Sequence, residues 1–158
     1  MFDHEKLDVY QLELEFLGWA TEFLVEIADK PSPINKRELS DQLDRASLSA
    51  LLNTAEGNGR RQGKQRAKFF DDARGSAFEC AACLDASVAK KLSTTERIQP
   101  GKELLERIVE MLSKLVARFD PDLYRVREGD DTLGDAEPIE DEDDDEYEDD
   151  RPGNHPHL

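Results

Sequence analysis

The stretch Phe69-Phe70-Asp71-Asp72-Ala73-Arg74-Gly75-Ser76-Ala77-Phe78-Glu79-Cys80-Ala81-Ala82-Cys83-Leu84-Asp85-Ala86-Ser87-Val88 decides the fold. At about 100° per residue, Phe70, Ala73, Ala77, Ala81, Leu84 and Val88 fall on one side, separated by threes and fours. No window alternates apolar and polar residues as a half-buried strand would. The run is therefore a one-sided bundle helix, and the spacing extends it over residues 63–92.

The neighbouring segments read the same way. A helix over residues 35–56 precedes it, closed by Gly57-Asn58-Gly59, whose chemistry suits a left-handed cap. A first helix over residues 3–28 stops at Pro31-Ser32-Pro33, because proline cannot continue a helix and biases its predecessor toward extended backbone. After Ser93-Thr94-Thr95, with room for one short turn at residues 95–98, a last helix covers 100–119, with Pro100 suited to its first turn. Its apolar face carries Leu104, Ile108, Met111, Leu112, Leu115 and Phe119, opposite Glu106, Arg107, Glu110 and Lys114. Asp120-Pro121 closes the body. The fold expected is all-α, an up-down-up-down antiparallel four-helix bundle over residues 1–127, followed by a disordered acidic tail over 128–158.

The first two helices are apolar on two sides. Leu7, Tyr10, Leu14, Leu17, Leu24 and Ile27 form one stripe of helix 1. Leu12, Phe16, Trp19 and Phe23 form another, about 160° away. Helix 2 has Leu39, Leu43, Ala46 and Ala50 on one side and Leu48, Leu51, Leu52 and Ala55 on the other. One core takes one stripe per helix. A patch of Leu12, Phe16, Trp19, Phe23, Leu48 and Leu52 is then left outside, and such patches mark partner surfaces. A homo-oligomer sealed through helices 1 and 2 follows. The competing arrangement is a thick core that wraps both stripes, with the segment after Phe119 folding back.

Charge divides the chain more sharply than hydropathy does. The apolar fraction of 37% and the net charge of −16 would together suggest disorder, yet the charge is not evenly spread. From Glu128 to Leu158 there are 15 acidic residues and one basic, Arg151, so the remaining 127 residues are within two charges of neutrality. Glu140 to Asp150 is acidic at every position but Tyr147 and cannot bury enough apolar surface to fold. It serves solubility, or it mimics a nucleic acid, competing for a basic surface or recruiting a basic partner. Two cysteines, Cys80 and Cys83, are too few for a disulfide framework. The N-terminus has no signal-peptide pattern, and no apolar run approaches the roughly 20 residues of a membrane span. No membrane is involved on this reading, and a reducing cytoplasm is the expected setting.

Between Gln42 and Leu92 the order of residues is distinctive: Gln42-Leu43-Asp44-Arg45-Ala46-Ser47, Asn53-Thr54-Ala55-Glu56-Gly57, Arg60-Arg61, then Phe69 to Glu79, with Leu7-Asp8-Val9-Tyr10 upstream. It resembles the four-helix bundle proteins encoded in intervening sequences of bacterial 23S ribosomal RNA genes. The accessory variability determinant of diversity-generating retroelements is a distant cousin of that group. The resemblance runs from about Leu7 to Phe119. It implies an up-down-up-down bundle assembled as a ring-like homopentamer, with no established enzyme activity and an RNA or nucleoprotein connection suspected from genomic setting. Two departures stand out. Ser49-Ala50-Leu51-Leu52 replaces the family's Ser-Ile-Pro-Ala, and the acidic tail is no part of the pattern.

Candidate sites are few. Asn53 continues the core seam of helix 2, and a buried amide must find partners. Asn53, Glu56, Ser76 and Glu79, with Arg60, are expected to form a buried polar network that locks helix 2 to helix 3, or a ligand site built on the same residues. Arg60, Arg61, Lys64, Arg66, Lys68 and Arg74 concentrate six positive charges in 15 residues. In a ring they would repeat around one rim and could neutralise phosphates. They lack the interleaved aromatics of a base-stacking surface, and a solvated helix face or a resting place for the tail are the other readings. Cys80-Ala81-Ala82-Cys83 lies mid-helix, where thiols are not activated. A zinc site lacks ligands, since the histidines are His4, His155 and His157. Gly57-Asn58-Gly59 is no phosphate loop, because no strand precedes it.

No catalytic, metal or cofactor site is expected. The sequence points to a non-enzymatic oligomeric binding protein, with RNA or a ribonucleoprotein as first partner. The alternative is a multivalent scaffold that recruits basic proteins through its acidic tails.

Overall fold

In the computed structural model the described residues are 1–130, with side chains described through Arg125. A 3-10 turn at Asp3–Lys6 leads into α1 (Asp8–Asp29), α2 (Arg37–Gly59), α3 (Gly63–Ala89), α4 (Thr95–Phe119) and α5 (Pro121–Asp130). The described residues contain no strand. Successive long helices pack side by side and α1 closes against α4, which makes a four-cornered bundle. Every neighbouring pair is antiparallel. Glu13 near the start of α1 meets Thr54 near the end of α2, Asn58 meets Arg66, Lys102 meets Asp85, and Arg97 meets Glu26. The four-helix bundle expected from the sequence is what forms.

Backbones approach most closely between α3 and its two neighbours. The reason is side-chain size: α3 offers the core Ala67, Ala73, Ser76, Ala77 and Cys80, so little volume separates the helix axes. Gly57 of α2 sits in such a contact, where an added Cβ would be 3.0 Å from Phe69.

The helix ends differ from expectation for local reasons. Gly57-Asn58-Gly59 is not a left-handed cap. All three continue α2, none of them has positive φ, and Gly57 provides close approach instead. The left-handed residue is Lys91 (φ 61°), after α3. There Leu92 N–H reaches Ser87 O and Lys91 N–H reaches Val88 O, both at 2.9 Å, a Schellman arrangement anchored by buried Leu92. Nor does Pro100 open the last helix. α4 begins at Thr95, capped by Thr94 Oγ1 accepting from Arg97 N–H at 3.2 Å, and Pro100 lies inside it. At the other turn, the Lys36 ammonium donates to the carbonyls of Ile27, Ala28 and Lys30 at 2.7–2.8 Å, satisfying the end of α1 that Pro31 interrupts. α5 was not anticipated, and it runs through the domain boundary expected at 127/128. The acidic segment from residue 131 lies outside the described residues.

The largest correction concerns α1. Leu12, Phe16 and Phe23, expected on an outer interface, are 7%, 2% and 1% exposed, and form the core with Val9, Ala20 and Ile27. Trp19 packs half-buried against that core. The other stripe is split: Ile27 is buried, Leu7 and Leu24 pack half-buried against the core, and Leu14 is 40% exposed. Size again decides. Across from the small side chains of α3, only the aromatic stripe has the volume to fill the interior. On α2 the expectation holds for most positions: Leu39, Leu43, Ala46 and Ala50 are inside and Leu48 and Leu52 are exposed, but Leu51, expected outside, is buried and Ala55 is half-buried.

Trp19 explains how α1 meets α4. Its indole stacks with Phe16 and Phe23 at centroid distances of 5.8 and 5.2 Å, and the Arg97 guanidinium lies 5.2 Å above it. The edge of the ring occupies the space beside Gly101, where a Cβ would be 2.4 Å from Trp19 Cζ3. Glycine inside a helix ordinarily costs about 1 kcal/mol relative to alanine. Here the sign reverses, because the sandwiched indole cannot swing away. Gly101→Ala is expected to destabilise the fold by roughly 1–3 kcal/mol in denaturant melts. In the Trp19→Leu background the same change should be neutral or stabilising.

Candidate functional site

The six cations singled out by sequence cluster where α2 hands over to α3, but the fold takes up half of them. Arg66 donates from Nη2 to Asn58 Oδ1 at 2.9 Å and stacks 4.4 Å from the Phe119 ring centroid, tying together the ends of three helices. Arg74 donates from Nη1 to Ser113 Oγ at 3.1 Å and lies 3.8 Å from Asp71 Oδ1, joining α3 to α4. Arg60 pairs with Glu56 and covers the Phe69 ring at 4.8 Å. Arg61, Lys64 and Lys68 remain exposed and enter no ion pair among the described residues. Lys64 and Lys68, one helical turn apart, share a face of the first turns of α3, and Arg61 stands in the link just before it. The side chain that lies flat on Phe119 marks this as the end where α4 finishes, and Arg118 and Arg125 stand at the same end, exposed.

The polar network expected between helices 2 and 3 forms only in part. Asn53 is half-buried rather than sealed, and its Nδ2 donates to Ser49 O and Ser49 Oγ at 3.0 and 3.1 Å. Ser49 Oγ meets Ser76 Oγ at 3.0 Å, so Asn53 and Ser76 are joined through a serine the sequence reading overlooked. Glu56 pairs with Arg60 at the surface and Glu79 is exposed, so neither joins the Asn53–Ser49–Ser76 chain. Glu79 lines an open groove of about 590 Å³ between α2 and α3, with Leu39, Gln42, Ala82, Cys83 and Ala86. Asn53 faces α3 rather than the centre of the bundle, and the buried position is the next one, Thr54.

Thr54 brings the polar residue that sequence reasoning missed. Its hydroxyl donates to Glu13 Oε1 at 2.7 Å, and Glu13 is 2% exposed with Oε2 unpartnered. Burial pushes the Glu13 carboxyl up to about 8, while the Thr54 hydrogen bond pulls weakly the other way. The signal existed in the sequence: Glu13 flanks the aromatic stripe on the wheel, but it went unread because that stripe was assigned to the outside.

The remaining groups offer no activated chemistry. The Cys80 thiol is pushed up to about 12 by burial, then by Cys83 and Glu79. Cys83 is raised by burial and Glu79 as well. Both shifts disfavour the thiolate, the nucleophilic form. No three His, Cys, Asp or Glu side chains converge on a metal position among the described residues. His155 and His157 lie outside those residues. No helix among them is long and apolar enough to cross a membrane.

The model of the 23S rRNA-intervening sequence protein family matches residues 5–114. The chain belongs to that family. The match spans the four long helices almost entirely and stops before α5. Both Glu13 and Thr54, and all six cations, lie within the matched region. No curated protein matches the chain.

Glu13 makes stability of this family member depend on pH in an unusual direction. Its folded value of about 8 stands above the ordinary 4.5, so the carboxyl stays protonated in the fold while the unfolded chain ionises. Its contribution is therefore complete below pH 4.5 and is lost as pH rises to about 8, at a slope near 1.4 kcal/mol per pH unit. Glu13→Gln keeps an acceptor for Thr54 without the charge. Thermal melts at pH 5 and pH 9 should show the variant gaining on the wild type by several kcal/mol at the higher pH.

Proposed function

We propose that this 23S rRNA-intervening sequence protein is a non-enzymatic binding protein that assembles with copies of itself and contacts RNA or a ribonucleoprotein. The observation that carries the reading is the pairing of two unfilled surfaces on one bundle, an apolar flank and a cationic end. On the flank, Leu14, Leu48 and Leu52 are 40%, 46% and 57% exposed, and half-buried Tyr10 and Leu17 flank Leu14 on its side of α1. Large exposed aliphatics on two adjacent helices favour burial against another copy. At the cationic end, Arg61, Lys64 and Lys68 are free to meet phosphates.

Self-association and RNA contact support each other. Three cations on one protomer would give a salt slope of only about 2 against single-stranded RNA. Repeated around an oligomer, the same three would act together through effective concentration. The pentamer implied by family likeness suits that requirement. The strongly displaced carboxyl, Glu13, supports binding over catalysis in that it is sealed from solvent. The setting we infer is the cytoplasm, in keeping with two free cysteines, one of them half-buried.

Light scattering at micromolar concentration tests assembly. A mass several times 17.9 kDa is expected, falling toward 17.9 kDa in Leu48→Glu/Leu52→Glu. A wild-type mass of one protomer would remove the oligomer. RNA contact is tested by fluorescence anisotropy with a structured ribosomal RNA fragment across a salt series. Binding should weaken as salt rises and drop at least about tenfold in Arg61→Glu/Lys64→Glu/Lys68→Glu. Absence of binding at low salt would turn the reading to the scaffold that recruits basic proteins through acidic tails.

A further inference from the structure

We propose that the chain's own acidic segment, Glu140 to Asp150, docks on the face formed by Arg61, Lys64 and Lys68. The segment carries ten carboxylates in eleven residues. The face carries three cations that no described side chain neutralises, in a body otherwise close to electroneutral. Two features of the fold bring them together.

The first is the point of attachment. The end of α4 touches the start of α3 directly: a Cβ on Gly63 would be 3.2 Å from the Phe119 carbonyl oxygen, and Arg66 stacks on the Phe119 ring. α5 follows at once, held to the end of α4 by Asp120, whose Oδ1 accepts from Leu123 N–H at 3.2 Å. The chain therefore leaves the bundle at the cationic end and not at the opposite one. The ten residues of α5 span about 15 Å. The ten residues from Asp130 to Glu140 reach at most about 35 Å, enough to return the acidic run along α5 to the first turns of α3.

The second is the selective use of charge at that end. Arg60, Arg66 and Arg74 are held by Glu56, Asn58, Ser113 and aromatic rings, whereas Arg61, Lys64 and Lys68 have no such partner among the described residues. Arg118 and Arg125 add cationic character at the same end. Ionic attraction at an exposed surface is weak, with a Debye length near 8 Å at physiological salt. Tethering compensates, since a short connection sets an effective concentration in the millimolar range. At the other end of α2 and α3 the groove between them presents Glu38 and Glu79 beside a single cation, Lys90, and so attracts the segment less. The contact does not depend on RNA binding. Where RNA does use this face, the segment competes with it.

Zero-length carbodiimide coupling of the full-length protein, without RNA, tests the contact by joining carboxylates to lysine amines. Mass spectrometry is expected to find residues 140–150 linked to Lys64 and Lys68, with yields falling several-fold between about 50 and 500 mM salt. Mixing isotopically light and heavy protein separates links within one chain from links to a neighbour, and either supports the docking. Arg61→Gln/Lys68→Gln keeps one reactive amine at Lys64 and should lower its coupling, while helicity by circular dichroism is unchanged. Links spread evenly over Lys6, Lys90, Lys102 and Lys114, or none at all, would overturn the proposal. RNA anisotropy is a separate readout, so failure of RNA binding leaves the coupling result standing.

Discussion

The bundle depends on a match of volumes between α1 and the helices around it. α1 brings Phe16, Phe23 and the edge of Trp19, while α3 brings Ala73, Ala77 and Cys80 and α4 brings Gly101. Interiors pack at near-crystalline density, so large and small faces must be opposed. Once the aromatic stripe is inside, α3 can sit close to α2 and α4. The same choice turns Leu14, Tyr10 and Leu17 outward. The apolar flank available for self-association is thus a by-product of how the core is filled.

The polar interior follows from the same rotation of α1. Setting Phe16 inside brings Glu13, about 60° away on the helix, against α2, where Thr54 meets it. A carboxyl so placed remains neutral at physiological pH because ionisation without solvent is costly. One hydrogen bond and an unpartnered oxygen are a weak compensation for that burial. The site is a store of pH sensitivity in the middle of the α1–α2 contact.

Charge is partitioned with similar economy. Arginines whose planar guanidinium groups can both stack and donate are built into the joints between helices, at Arg66 on Phe119 and Arg74 on Ser113. Two of the three free cations are lysines, compact charges that suit phosphates or a string of carboxylates without demanding fixed geometry. Basic residues adjacent in sequence therefore divide into those held by the fold and those left free among the described residues. Membership of the 23S rRNA-intervening sequence protein family gives this division a broader frame, since the family match contains all six cations but ends before the acidic segment.

Sequence alone determined the helical class, the number of long helices, their order and the family. Those rest on local periodicity, on proline and glycine punctuation and on motif order between Gln42 and Leu92. It also located the cationic cluster, which is a matter of composition. It did not determine which stripe of α1 faces the core, because a helical wheel with two apolar sides is symmetric until the neighbours' volumes are known. For the same reason Glu13 went unnoticed, and Asn53 was placed one position too deep. Gly57 was misread as a cap because its close contact with Phe69 overrode local preference, and Pro100 as a first-turn residue because the Thr94 cap starts α4 earlier. Which arginines are free, and at which end the acidic segment leaves, were decided by tertiary structure, since both depend on residues about 50 positions apart meeting across helices.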